Sequence, residues 1–65
     1  MPGTIHVEEC GPVSAREWRV WTERSDNTRT PIWATSIRAE AKRVVRDRVS
    51  DGYEPDAKAS ELLES

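Results

Sequence analysis

Polar and apolar positions alternate near the start of the chain and later give way to a helical rhythm. In Thr4–Glu8, Ile5 and Val7 fall on one face, the signature of a short strand over about residues 4–8. Gly11-Pro12 then interrupts it, because proline offers no backbone donor and glycine relaxes the main chain. In Glu17–Glu23 the set Trp18, Val20, Thr22 points one way and Arg19, Trp21, Glu23 the other, predicting a strand over about 16–24. Residues 25–30 hold no apolar side chain and contain the turn formers Asp26 and Asn27. A partner strand is expected over about 31–35, with Pro31 tolerable at its start. If Ile32 and Ala34 face inward with Trp18 and Val20, Trp33 joins Trp21 on the outer face.

The helical stretch is the best-defined element. Ile37, Ala41, Val44, Val45 and Val49 recur at i, i+4, i+7, i+8 and i+12, one apolar stripe of a helix over about 36–51. Thr35 or Ser36 supplies an N-cap oxygen, and Gly52 supplies a residue suited to the left-handed stop. The valines have modest helix propensity, so burial against a sheet must hold this helix. The pattern predicts an α+β fold, a two- or three-stranded antiparallel sheet packed by one amphipathic helix (ββα or βββα). The sheet and helix form a single domain over residues 1–53. Residues 54–65 read as an acidic, mobile C-terminal tail whose only anchors are Leu62 and Leu63.

Composition adds a constraint on stability. A chain of 65 residues, 35% hydrophobic and 34% charged, has room for one small core, and three tryptophans offset its shortage of aliphatic side chains. Such a domain buries only about 60% of its unfolded surface, so a homodimer or another partner is expected to support it. There is no apolar run near the roughly 20 residues that span a bilayer, nor a basic segment followed by an apolar one, so no membrane association and a cytoplasmic location are expected. Charge is segregated: residues 16–48 carry nine Lys/Arg against five Asp/Glu, whereas residues 49–65 carry Lys58 against five acids.

No paired carboxylates, nucleophile–base set or glycine-rich phosphate loop stands out, so the chain is expected not to be an enzyme and to need no cofactor. Cys10 is the only cysteine and His6 the only histidine. With Glu8 and Glu9 they lack the spacing of a zinc site, and His6 reads as an exposed imidazole beside a buried or half-buried thiol.

The candidate binding residues are instead aromatic and basic. Arg19, Trp21 and Trp33 would share the open sheet face, with Arg24 and Arg29 at the hairpin tip. Flat aromatics among guanidinium groups suit stacking on bases and pairing with phosphates. They equally suit a protein interface, where Trp and Arg are favoured anchors. On the helix, Arg38, Lys42 and Arg46 form a basic row at i, i+4, i+8, while Glu40, Arg43 and Asp47 are spaced to pair with one another.

A Trp-containing strand, Trp18-Arg19-Val20, leads through the hairpin to Thr35, followed by Ala39 and Glu40 at the opening of the helix. Over about residues 4–50 this resembles the AP2-like, arm-binding sheet-helix domains of tyrosine recombinases and similar small modules of mobile elements. The hairpin departs from theirs in having Ser25-Asp26-Asn27-Thr28 where they have a glycine turn. The resemblance implies a sheet that enters the DNA major groove and nominates Arg19, Trp21, Arg24, Arg29 and Trp33 as contacts. The function expected from the sequence is a small binding or regulatory module that contacts DNA through its sheet. The alternative is a protein-interaction factor, a small inhibitor or adaptor, using the same face.

Overall fold

The computed structural model describes residues 3–64. Four strands, β1 (Thr4–Cys10), β2 (Glu17–Glu23), β3 (Arg29–Thr35) and β4 (Glu54–Pro55), form one sheet in the order β3-β2-β1-β4. Two helices, α1 (Arg38–Ser50) and α2 (Ala57–Glu64), pack on one face. The expected α+β class holds in its coarse form, and the architecture is larger than expected. The sheet has four strands, is mixed because β4 runs parallel to β1, and carries two helices. Where the sequence suggests a mobile tail after residue 53, the chain forms β4 and α2, and Ala59 and Leu62 are buried in the core.

The alternation in the first two strands sets the core. Val7 pairs with Val20 and Ile5 with Thr22, so these four residues line one face of the antiparallel β1–β2 ladder. Ile5, Val7 and Val20 close on Ala41 and Val45 of α1 and on Ala59 and Leu62 of α2. Trp18, Ile32, Val44, Val49, Tyr53 and Leu63 seal the margin of this cluster. Thr22 is the buried polar residue of the group, and no buried side-chain polar atom among the described residues lacks a partner.

Two connections shape the antiparallel part of the sheet. Gly11, at φ +85°, leads out of β1, and a Cβ there would sit 2.7 Å from the Ala15 carbonyl oxygen, an approach only glycine permits. The β2–β3 hairpin closes with Asn27 N–H donating to the Arg24 carbonyl and Arg24 N–H donating to that of Thr28. Asn27 takes the left-handed conformation, φ 67°, that asparagine tolerates better than most residues. The Thr28 hydroxyl and backbone N–H both donate to the Asp26 carboxylate and hold its pKa below the ordinary value, with nearby Arg24 adding to the effect.

The two ends of α1 differ from one another. At its C-terminus Gly52 adopts φ 104°, Tyr53 N–H donates to the Arg48 carbonyl and Gly52 N–H to that of Val49. This is the paired-bond Schellman stop expected from the glycine. At the N-terminus the expected Thr35 or Ser36 cap is replaced. Ile37 occupies the cap position without a side-chain cap bond, and Thr35 Oγ1 instead accepts from the Ile37 N–H at 3.0 Å, turning the chain out of β3.

A β-bulge in β3 redirects one of the candidate residues. Val20 pairs with Trp33 and Trp21 with Pro31, so Ile32 is an extra residue opposite the Val20/Trp21 step. Ile32 and Trp33 therefore both turn toward the helix side, while Ala34, opposite Arg19, faces the other way. Contrary to strict alternation, Trp33 does not join Trp21. Its Nε1–H donates to Glu40 Oε1 of α1 at 2.6 Å, which also occupies the carboxylate expected to pair along the helix with Arg43.

Candidate interaction surface

The sheet face opposite the helices is the candidate site. His6 and Glu8 of β1, Glu17, Arg19, Trp21 and Glu23 of β2, and Arg29, Pro31 and Ala34 of β3 reach it by pairing register. Trp21 lies half-buried at its centre, and the His6 ring stacks on the indole with centroids 5.2 Å apart and planes 15° from parallel. Beside Trp21 a shallow open depression of about 530 Å³ is lined by Glu8, Arg19, Arg29, Pro31 and Ala34, with Val20, Ile32 and Trp33 also bordering it.

Carboxylates accompany the guanidinium groups of this face. Arg19 lies 3.5 Å from Glu17, and Arg29 lies 3.8 Å from Glu23, with both arginine side chains largely exposed. Exposed pairs of this kind contribute about 0–1 kcal/mol each and exchange readily for other partners. Their consequence here is electrostatic: a phosphate approaching Arg19 or Arg29 also meets Glu17, Glu23 and Glu8. The surface is mixed in sign around an aromatic centre.

The remaining candidates are dispersed. Arg24 is at the exposed hairpin tip, beyond the sheet face. On α1, Arg38 and Arg46 are exposed while Lys42 is half-buried, so the row is not uniformly presented to solvent. Arg38 borders a small recess shared with Glu9, Trp18, Lys58 and Glu61, which brings the acidic second helix to one end of the row. Arg38, Lys42 and Arg46 thus lie away from the surface that holds Arg19, Trp21 and Arg29, whereas Trp33 borders its depression but turns its indole N–H to Glu40 of α1.

His6 is the site residue that the sequence does not single out. It is half-buried, where the sequence suggests an exposed imidazole, and each ring nitrogen faces a carboxylate: Nδ1 lies 2.8 Å from Asp56 Oδ2, and Nε2 lies 3.1 Å from Glu23 Oε1. An imidazolium donates to both, a neutral ring to one only. Both ring nitrogens are thus engaged by carboxylates that the fold itself supplies. Its evident role is to join β1, β2 and the start of α2. Asp56 completes that joint, because its Oδ1 accepts from the Ala59 N–H at 2.7 Å as the N-cap of α2.

No protein-family model matches the chain, and neither does any curated protein or solved structure.

The joint yields a graded prediction. Asp56→Ala removes a cap worth about 1 kcal/mol and a contact to His6 that contributes about 1.5–3 kcal/mol when charged. Asp56→Asn keeps an acceptor for the cap and lowers only the charge facing His6. Urea denaturation should therefore rank wild type above Asp56→Asn, and Asp56→Asn above Asp56→Ala. Equal destabilisation by the two variants would show that the cap contributes nothing.

Proposed function

We propose that this protein is a small non-enzymatic interaction module that binds a protein partner through the open sheet face centred on Trp21. The observation that carries the reading is the composition of that face: one half-buried indole, stacked on His6, inside a ring of alternating Arg and Glu side chains. A central aromatic in a polar, charge-mixed rim is the usual layout of a protein–protein contact. A face built for polyanions would present its cations without matched carboxylates.

A nucleic-acid reading remains as the second proposal, favoured by one observation. Arg43 and Arg46 are exposed on the outer side of α1, and neither forms an ion pair among the described residues. The resemblance to arm-binding domains would add Arg19, Trp21, Arg24 and Arg29 as contacts, but the Trp33 indole is turned to Glu40 of α1.

The two readings separate by experiment. Affinity capture with wild-type and Trp21→Ala baits, the variant first shown by circular dichroism to be folded, should lose a defined protein partner on substitution. Capture should survive moderate salt. A nucleic-acid binder would instead show affinity for short duplexes that falls steeply with salt. Arg19→Ala or Arg29→Ala would then flatten that slope by about one unit for each phosphate no longer neutralised. Salt-steep duplex binding that is indifferent to Trp21→Ala would reverse the order of the two proposals.

A further inference from the structure

His6 ties the open face to the C-terminal segment through three contacts of unequal freedom. Stacking on Trp21 holds the plane of the ring, so its two nitrogens keep their directions. Nδ1 lies 2.8 Å from Asp56 Oδ2, and Nε2 lies 3.1 Å from Glu23 Oε1. Histidine is the side chain whose charge ordinarily changes between about pH 5 and 8, and His6 is the only one in the chain. A ring with two protons serves both carboxylates. A ring with one proton serves one of them and turns a lone pair on the other. Loss of the second proton must therefore release one carboxylate.

We propose that the carboxylate released is Glu23, so that His6 acts as a proton-operated clasp dividing Glu23 between itself and Arg29. On the reading that the open face binds a partner, the clasp sets how much of Arg29 that partner meets. Asp56 is held twice, because its Oδ1 also accepts from the Ala59 N–H at 2.7 Å as the cap of α2. Moving it would undo the cap. Glu23 is held less firmly. Its contact to the ring is the longer one, its side chain has one more rotatable bond, and Arg29 Nε waits 3.8 Å from its Oε2. When the ring loses a proton it keeps the Nδ1–H bond to Asp56. Glu23, now facing the Nε2 lone pair, turns to the Arg29 guanidinium.

The other charged groups around the ring preserve this choice. Glu8 of β1 and Glu54 of β4 are exposed acids that reach the same face by register. Arg19 of β2 is opposite Glu8, and its 3.5 Å contact is to Glu17, so Arg29 is the cation that Glu23 meets on release. α1 and the body of α2 pack on the far side of the sheet, and Asp56 is the group the second helix sends to the ring. With the ring doubly protonated, Glu23 is drawn to His6, and the Arg29 side chain, 71% exposed, is open to an acidic group of a partner. With the ring neutral, Glu23 covers Arg29 and the imidazolium charge is gone as well. Both changes run in one direction: the open face accepts acidic groups better on the acid side of the ring's titration.

The test is a pH titration of the free chain by NMR between about pH 5 and 8. It follows the His6 ring nitrogens, the Glu23 and Asp56 carboxyl carbons, the Arg29 Nε–H and the Ala59 amide. The Glu23 carboxyl and the Arg29 Nε–H should shift with the same midpoint as the ring, and the Asp56 carboxyl and Ala59 amide should shift far less. In the neutral ring the remaining proton should reside on Nδ1. Arg29→Gln removes the waiting partner at an exposed position and should shrink the Glu23 response at least twofold while the ring still titrates. An Asp56 response as large as that of Glu23, a neutral ring protonated on Nε2, or a Glu23 response unchanged in Arg29→Gln would overturn the proposal. No partner is needed, so the outcome is separable from the binding role of Trp21. A clasp that fails leaves capture through Trp21 intact, and a failed capture leaves the titration result standing.

Discussion

Val45→Asp is expected to abolish the folded state. Val45 has no exposed surface and sits where α1 meets both the sheet and α2. A carboxylate there would lose its hydration and find no partner, at a cost of several kcal/mol. A domain of this length has a total stability of only about 3–10 kcal/mol. The neighbouring Val44 is half-buried at the β3 margin and open to the groove beside Trp33. Val44→Asp should therefore lower the melting temperature while leaving a cooperative transition, as read by far-ultraviolet circular dichroism. The sequence ranks the two valines equally. A cooperative melt for Val45→Asp would mean that the apolar stripe is wrongly oriented.

Deleting residues 54–65 is expected to have an effect of similar size. The deletion removes Ala59 and Leu62 from the core and uncovers Ile5 and Val7. Each large side chain returned to water costs about 1.5–3 kcal/mol, so losing the burial of Leu62, Ile5 and Val7 together approaches the whole stability of the domain. Leu62→Ala is the milder control and should cost about 2–5 kcal/mol. Were these residues a mobile tail screening the basic helix, the deletion would leave the melt unchanged and increase affinity for polyanions. Hydrogen exchange on the truncated chain separates the outcomes: loss of protection throughout β1 and β2 is expected, and native-like protection would refute the structural role of α2.

The parts of the fold that are legible in the sequence are those encoded by local periodicity. Ile5/Val7, Trp18/Val20/Thr22 and the stripe Ala41–Val45–Val49 each assign a face by spacing alone, and Gly52 marks the end of α1 through its backbone freedom. What is not legible depends on distant pairing. β4 is two residues long, one of them proline, and is a strand only because β1 lies alongside it. Trp33 changes sides because one extra residue is accommodated opposite Val20, a choice no local pattern announces. His6 can be placed on a face, but not against Trp21, Glu23 and Asp56, because its position depends on the β1–β2 register and on the docking of α2. The open face is half legible: Arg19, Trp21 and Arg29 share it, while the glutamates that offset its charge reach them only through strand register.

The parallel pairing of β1 with β4 also bears on the order in which the fold can be completed. Thr4 pairs with Glu54, and Ile5 with Pro55, so an early strand stands inside the sheet and acquires one neighbour only after some fifty further residues have been made. The two hairpins and α1 rely on contacts close in sequence and can assemble quickly, whereas closure by β4 and α2 is non-local and slower. During synthesis on the ribosome, β1 would therefore wait with its outer edge unpaired and Ile5 and Val7 only partly covered. That interval is when the nascent chain is most exposed to mispairing with another copy.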